Sequence, residues 1–207
     1  MLHVAFWNVY NLFDGSVQRG PRPQDVDAKL DVIAKAIGEF FDGQADLIAL
    51  AEIGDDTLVT RLLSRLPPRR YEFKWQPAPK SDQTGLCVLR RRAGKAAVTD
   101  FDIVEHWQPA TMVRPHIIVV EFLLRGSRTP AILAVNHWKS HRPSDGTDGA
   151  QDRLDAGRWL GDWFDKRQGN DCLVAVGDFN AEPFEPPFSD IALRGKLDGE
   201  IYGTRQL

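Results

Sequence analysis

In the first part of the chain, short apolar runs alternate with amphipathic helix patterns. Further along, several short apolar runs follow one another with no helix pattern between them. This order of elements is the strongest constraint on the fold. The runs Val4–Asn8 and Asp46–Ile53 are typical of buried strands. Between them, apolar residues recur at spacings of three and four, as on one face of a helix: Val26, Leu30, Ile33, Ile37 and Phe41. Helix–strand alternation followed by consecutive strands predicts a layered α/β sandwich rather than a purely parallel doubly wound sheet.

The remaining patterns continue this alternation. A second helix is predicted after Asp55 and Asp56, which offer an N-cap, and Pro67-Pro68 ends it. Further strands are predicted over residues 71–76, 85–90, 98–104, 116–124, 132–137 and 173–177. Two more helices are predicted over residues 150–166 and 186–193. Because no internal repeat or linker interrupts the chain, we expect residues 1–207 to form one domain.

Composition places the chain among ordinary globular proteins. It has 207 residues, 43% of them hydrophobic, which argues against disorder and against a disulfide scaffold. No apolar run approaches the roughly 20 residues that cross a bilayer, and no signal-peptide pattern precedes the first strand. We therefore expect a cytoplasmic protein with no membrane partner. Cys87 and Cys172 lie in strand-like runs and are interpreted as small buried hydrophobic residues.

Charge is unevenly distributed along the chain. The net charge is −3, but residues 61–95 carry ten basic and only two acidic residues. This segment, which we call the basic belt, has two interpretations of about equal weight. It is either a contact surface for a polyanion or a solvated face with charged loop ends.

Polar side chains follow four of the apolar strands, at the point where each strand ends. Asn8 and Glu52 end the first two runs, His137 follows Leu133–Asn136, and Asp178 and Asn180 follow Leu173–Gly177. Sites in α/β proteins are built at strand ends, because buried strands hold the loop residues rigidly. Four strand ends carrying Asn, Glu, His and Asp-x-Asn predict a metal-assisted hydrolytic site.

These segments also resemble a known family in both motif and order. Phe6–Asp14 resembles the opening motif of the endonuclease/exonuclease/phosphatase superfamily, most closely that of bacterial deoxyribonuclease-I-like endonucleases. The later matches are Asp46–Ile53 with the metal-binding strand, Gly85–Arg90 with "G-x-x-V-L-x-R", Arg114-Pro115 with "R-P", Val135–Ser140 with "N-H-x-K-S" and Gly177–Asn180 with "G-D-F-N". Each motif alone is weak or moderately specific, whereas the ordered set is strong. The resemblance implies two packed mixed β-sheets flanked by helices.

The residues suggest a role for each member of the site. Mg²⁺, with Mn²⁺ as a substitute, prefers oxygen ligands and needs only one or two protein carboxylates, so Glu52 is the principal expected ligand. Asn8 is expected to orient the phosphate or to contact the metal. Asp178 is expected to orient or deprotonate the attacking water, while Asn180 fixes phosphate oxygens. His137 is expected to donate to a phosphate oxygen.

Other residues near these motifs are candidates for contacting substrate. Arg114 and Lys139 are expected to bind the scissile or a flanking phosphate, because such cations make most phosphate contacts. Arg142, Arg153 and His141 are interpreted as solvated surface residues, with an extension of this phosphate contact as the alternative. Trp138 is interpreted as a core residue, with stacking on a base or sugar as the alternative.

Two departures from the family pattern affect the prediction. The family usually closes with a Ser-Asp-His motif, and no histidine follows His141 in this sequence. Either the sequence is a fragment of a longer protein or the chain lacks this pair. We expect the closing strands to be missing, which would leave a sheet edge for a partner chain or a second copy to cover. In addition, Tyr10 replaces the Glu that is common in the closest form of the opening motif.

The resulting hypothesis is a Mg²⁺-dependent phosphodiesterase that cuts DNA or RNA by direct attack of water. One alternative keeps the same chemistry but acts on a small or lipid phosphoester. The other is a catalytically impaired binding module that lacks the closing Asp-His pair, because the loss of a general acid or base typically costs 10²–10⁴-fold in rate.

Overall fold

The computed structural model describes residues 1–13, 23–77, 85–92, 97–108, 116–141, 149–167, 172–182 and 185–189. Eight strands and four helices lie in this part of the chain. The strands are β1 (Val4–Leu12), β2 (Leu47–Ile53), β3 (Tyr71–Pro77), β4 (Gly85–Arg91), β5 (Val98–Trp107), β6 (His116–Leu124), β7 (Ala131–His137) and β8 (Leu173–Asp178). The helices are α1 (Pro23–Glu39), α2 (Asp56–Leu63), α3 (Ala150–Lys166) and α4 (Pro186–Ser189).

The strands form two four-stranded mixed sheets. The first has the order β1-β2-β4-β3, with β1 and β2 parallel and the other neighbours antiparallel. The second has the order β5-β6-β7-β8, with only β7 and β8 parallel within it. The predicted sandwich of two mixed sheets flanked by helices is therefore confirmed. Strands β1 and β8 lie at the edges of their sheets and contact each other.

Three apolar clusters define the layers of the sandwich. One fills the space between the first sheet and helices α1 and α2, and includes Leu30, Ile37 and Leu50. The second lies between the sheets, and the third packs the outer face of the second sheet against α3. Strands buried on both faces need apolar residues throughout, which explains the continuous apolar run of β2.

Two helices end earlier than predicted: α2 ends at Leu63, with Ser64 as its C-cap, rather than at Pro67-Pro68, and α1 also ends early. Asp55 caps α2, where its carboxylate accepts a hydrogen bond from the Leu58 N–H at 2.8 Å. The apolar stripe of α1 was expected to reach Phe41, and this is wrong. The helix ends at Glu39, and Phe41 has a φ of +51° and is 48% exposed, because the chain turns there toward β2.

The basic belt is largely paired with carboxylates of the same chain. Its ion pairs are Arg61–Asp27, Arg65–Asp27, Arg65–Asp31, Lys74–Asp102, Arg90–Glu72, Arg91–Asp46 and Arg92–Glu72. Two further cations of the belt, Lys80 and Lys95, lie outside the described residues. This pairing favours a structural role for the described part of the belt over a polyanion surface.

No helix within the described residues is both long enough and apolar enough to span a bilayer. Cys87 is buried and Cys172 is half-buried, and each carries a free thiol.

Candidate active site

Two bulged strands lie side by side at the polar end of the first sheet. The pairing of β1 with β2 shifts register between Asn8 and Leu12, and the pairing of β2 with β4 shifts between Ala51 and Ile53. Glu52, inside the second bulge, has a φ of +66°. A bulge re-aims the side chains within it, and unusual backbone conformations of this kind concentrate at functional sites.

The side chain of Asn8 joins two carboxylates at this end of the sandwich. Its Nδ2 lies 3.0 Å from Glu52 Oε1 and 3.0 Å from Asp178 Oδ2, and it donates a hydrogen bond to each. The three residues belong to β1, β2 and β8, so the site spans both sheets. The structure thus brings together three predicted site residues that are up to 170 positions apart in the chain.

Glu52 is held by more than Asn8. Its Oε2 accepts a hydrogen bond from the Asn11 N–H at 2.7 Å, and its Oε1 lies 3.4 Å from His137 Nε2. Burial raises the pKa of the Glu52 carboxyl, but His137, Asn8 and Asn11 outweigh this effect and lower the pKa to about 2. Glu52 is therefore ionised at neutral pH although it is only 7% exposed.

Asp178 and Asn180 are positioned by the turn after β8. Asp178 Oδ1 accepts a hydrogen bond from the Asn180 N–H at 3.2 Å, and Asn180 Nδ2 donates to the Trp138 carbonyl at 2.9 Å. Gly177 makes this turn possible, because a Cβ there would lie 2.3 Å from the Asn136 carbonyl oxygen. The Asn180 amide nitrogen is thus engaged with the backbone, and its predicted contact with phosphate oxygens stays a prediction.

His137 lies inside the sandwich rather than on an open surface. It is 1% exposed, and its ring packs edge-on against His116, with 5.7 Å between ring centroids. Nε2 faces Glu52, and Nδ1 has no hydrogen-bond partner among the described residues. In this arrangement His137 contacts the carboxylate, so its donation to a phosphate oxygen stays a prediction.

Trp138 is a core residue, as the sequence analysis predicts. It is fully buried, stacks on Phe188 and donates through Nε1 to Asn136 Oδ1 at 3.1 Å. Asn136 in turn donates to the carbonyls of Ala134 and Val176, and so ties β7 to β8. The alternative that Trp138 stacks on a base or sugar is not supported, because its rings are covered.

The predicted phosphate-binding cations are only partly described. Arg114 and Arg142 lie outside the described residues. Lys139 is half-buried, and its carbonyl accepts a hydrogen bond from Arg153 Nη1 at 3.1 Å. The expectation that Arg153 is a solvated surface residue is wrong: it is 3% exposed, and its Nη2 lies 3.0 Å from His141 Nδ1. Arg153 therefore fixes the backbone that carries Lys139.

Sequence reasoning missed Lys29, which reaches the site from α1. Its ammonium donates a hydrogen bond to the Tyr10 carbonyl and lies 5.8 Å from the centroid of the Tyr10 ring. Burial lowers the pKa of Lys29, and the opposing charge of Glu52 offsets this only in part. The one available signal was its position beside Val26 and Leu30, at the border of the apolar stripe.

A divalent metal fits the chemistry of this donor set. No group of three His, Cys, Asp or Glu side chains poised to hold an ion is found among the described residues. Mg²⁺ nevertheless needs only one or two carboxylates and keeps several waters. Glu52 supplies an ionised carboxylate, and Asp178 places a second carboxylate on the other side of the Asn8 amide. Glu52 would hold the ion, and Asp178 stays the predicted base for the attacking water.

Comparison with known proteins gives one family match and many fold matches. A family model described as the Endonuclease/Exonuclease/phosphatase family matches residues 5–206. No curated protein matches the chain in sequence.

Three solved structures illustrate the fold. TDP2 from Caenorhabditis elegans is 18% identical, with a TM-score of 0.59, over 88% of this chain and 48% of that chain. A mannosyl-6-phosphatase from Bacteroides thetaiotaomicron is 15% identical, with a TM-score of 0.65, over 94% of this chain and 71% of that one. The human nocturnin catalytic domain with bound sulfate is 22% identical, with a TM-score of 0.56, over 90% and 67%. At these identities the likeness shows the fold alone, and this chain spans about half the length of the nematode protein.

Proposed function

We propose, from the premise that this chain belongs to the endonuclease/exonuclease/phosphatase family, that it is a Mg²⁺-dependent phosphodiesterase acting on nucleic acid. One observation carries the proposal: a single amide, that of Asn8, lies 3.0 Å from both the Glu52 and the Asp178 carboxylates. Two residues from the first quarter of the family match and one from near its end thus meet at one point. The closer likeness to deoxyribonuclease-I-like endonucleases stays a prediction.

The side chains suggest a division of labour in hydrolysis. Asp178 accepts a proton from a water molecule. The oxygen of that water attacks phosphorus in line with the leaving oxygen. Asn180 holds Asp178 through its backbone N–H, and the amide of Asn8 holds both carboxylates in place by donating to each. A bound Mg²⁺ would neutralise the charge that develops on the phosphoryl oxygens. Lys139 and Arg114 are proposed to bind substrate phosphates.

A small phosphoester is the second candidate substrate, and one observation favours it. Six of the eight described cations of the basic belt pair with Asp and Glu of the same chain and so offer little charge to a long polyanion. Two solved structures with this fold are named as a mannosyl-6-phosphatase and a 2′,3′-cyclic phosphatase. The same Asn8–Glu52–Asp178 arrangement would serve such a substrate.

Substrate class is tested by hydrolysis at increasing NaCl, with a labelled oligonucleotide and a sugar phosphate as parallel substrates. Binding through several phosphates falls steeply with salt, whereas binding of one phosphate falls little. We expect Mg²⁺-dependent oligonucleotide cleavage with a steep salt dependence, and a Glu52→Gln variant that needs more Mg²⁺ for half-maximal rate. Turnover of the sugar phosphate alone would establish the second candidate. Background turnover of both substrates would contradict the enzyme and favour the impaired binding module.

Two further proposals concern the surroundings of the chain. We propose a cytoplasmic location, and a partner chain or second copy along the β1–β8 edge. Size-exclusion chromatography with light scattering tests the second copy, since a monomer at all concentrations would contradict it.

A further inference from the structure

An exposed aromatic ring lies beside the candidate active site. Tyr10 is 69% exposed, although its neighbours Val9 and Leu12 are buried. It lies in the bulge of β1, two residues after Asn8. Single exposed apolar residues are common on protein surfaces, so what distinguishes this ring is the backbone that holds it beside the carboxylates.

The backbone fixes this ring relative to the carboxylates. The Tyr10 N–H donates to Asn8 Oδ1 at 2.9 Å, and the next N–H, that of Asn11, donates to Glu52 Oε2 at 2.7 Å. Tyr10 and Asn11 both have a φ of +54°. This conformation is unfavourable for a tyrosine, and here it turns the ring outward while the adjacent groups hold the site.

Lys29 adds a cation to the same feature. Its ammonium donates to the Tyr10 carbonyl and lies 5.8 Å from the ring centroid, within cation–π range. The Tyr10 carbonyl belongs to the same peptide group as the Asn11 N–H that donates to Glu52, so the ammonium lies near the proposed reaction centre. An aromatic face and an ammonium side by side match the base and the phosphate of one nucleotide unit.

We propose that Tyr10 and Lys29 form a platform that binds the nucleotide flanking the scissile phosphate, with its base stacked on the Tyr10 ring. This proposal rests on the proposed function and deepens it, because it selects substrates that carry a base. A phosphorylated sugar offers no planar ring to stack. Tyr10 is thus a specificity-determining residue rather than a catalytic one.

The test compares two oligonucleotides that differ only in the bases next to the cleaved bond. One carries normal bases, and the other carries abasic tetrahydrofuran residues at those positions. Stacking on an aromatic side chain contributes about 1–3 kcal/mol per base, which corresponds to about 5- to 150-fold in affinity. We expect Tyr10→Ala to raise KM for the normal substrate by about 5-fold or more, and to leave KM for the abasic substrate unchanged. Tyr10→Trp should restore the wild-type KM.

Phe41→Ala is the matched control. Phe41 is also an exposed aromatic residue with positive φ, but its ring stacks on His3 at the other end of the first sheet. It should leave KM for both substrates unchanged. A Tyr10→Ala variant that loses the same factor on both substrates, or nothing on either, would overturn the platform.

A binding experiment separates this proposal from the proposed function. Fluorescence anisotropy of both labelled oligonucleotides in EDTA measures affinity without cleavage. If wild-type protein cleaves neither oligonucleotide, the nuclease proposal fails. The platform still stands if Tyr10→Ala abolishes the preference for the normal oligonucleotide, and it fails if that preference is absent or unaffected.

Discussion

The substitution Asp46→Ala tests how the two sheets are held together. Asp46 is 2% exposed and lies just before β2, the strand that ends at Glu52. Its Oδ1 accepts hydrogen bonds from Arg91 Nη2 at 2.6 Å and the Ala97 N–H at 3.0 Å, and its Oδ2 accepts from the His3 N–H at 3.0 Å. One carboxylate thus connects the starts of β1 and β5 with the end of β4.

The expected loss of stability follows from the effect of the substitution on Arg91. Removal of the carboxylate leaves the Arg91 guanidinium, which is 10% exposed, without this counter-charge. Breaking a buried ion pair in this way costs about 3–5 kcal/mol in the free energy of unfolding. For a chain of this size, each kcal/mol corresponds to roughly 2–4 °C in Tm, so we expect a decrease of about 6–20 °C.

The assay is thermal and urea unfolding, followed by circular dichroism, with Asp27→Ala as the matched control. Asp27 also pairs with two arginines, but it is 63% exposed, and solvent-exposed ion pairs contribute little to stability. If Asp46→Ala lost no more stability than Asp27→Ala, the role assigned to Asp46 would be wrong.

The pH dependence of this contribution has a definite sign. Burial raises the pKa of Asp46, but the N–H donors of Ala97 and His3, together with Arg91, lower it overall. A lowered pKa in the folded state means that the stabilisation is present above the unfolded pKa of 3.8 and is lost as pH falls through the folded value. The difference between wild type and Asp46→Ala should therefore be largest near neutral pH and shrink below pH 3.8.

Three further predictions concern the site and its support. Gly177→Ala forces a Cβ to 2.3 Å from the Asn136 carbonyl oxygen, so it should destabilise the fold by about 1–3 kcal/mol or more, as urea unfolding will show. Trp138→Leu removes a fully buried indole and should cost about 2–4 kcal/mol of stability with no change in substrate KM; a raised KM in a stable variant would revive the stacking alternative. Glu52→Gln should lower stability more at pH 7 than at pH 2, because a carboxylate whose pKa is lowered to about 2 stabilises the fold above 4.5 and ceases to as pH falls through 2. An equal loss at both pH values would contradict this last prediction.

The sequence predicts the frame of this molecule well because the frame depends on periodic burial. Strands β2 and β7 are apolar at nearly every position, and Asn8, Glu52 and Asp178 stand where such runs stop. Parallel pairing of β1 with β2 and of β7 with β8 then carries these residues to one end of the sandwich. The apolar pattern and the order of the motifs are therefore enough to predict that Asn8, Glu52 and Asp178 lie close together.

The sequence does not show where the backbone of a strand departs from regular periodicity, or which side chains are paired by tertiary packing. The bulges that give Tyr10 and Glu52 their positive φ arise from register between strands, which no single segment encodes. Pairing of Arg61 and Arg65 with Asp27 depends on the packing of α1 beside α2, so the local charge count overstated the exposed positive charge. Burial of Arg153 beneath Lys139 likewise depends on tertiary packing.

The central claim is that Asn8, Glu52 and Asp178 form one phosphoester-hydrolysing centre, and Asp178→Ala tests it most directly. Cleavage of labelled single- and double-stranded DNA should be EDTA-sensitive in the wild type and fall by about 10²–10⁴-fold in Asp178→Ala. The variant's Tm should be nearly unchanged, and Asp102→Ala, at an exposed ion pair on β5, should cleave normally. Undiminished cleavage by a correctly folded Asp178→Ala variant would contradict the assignment of this site.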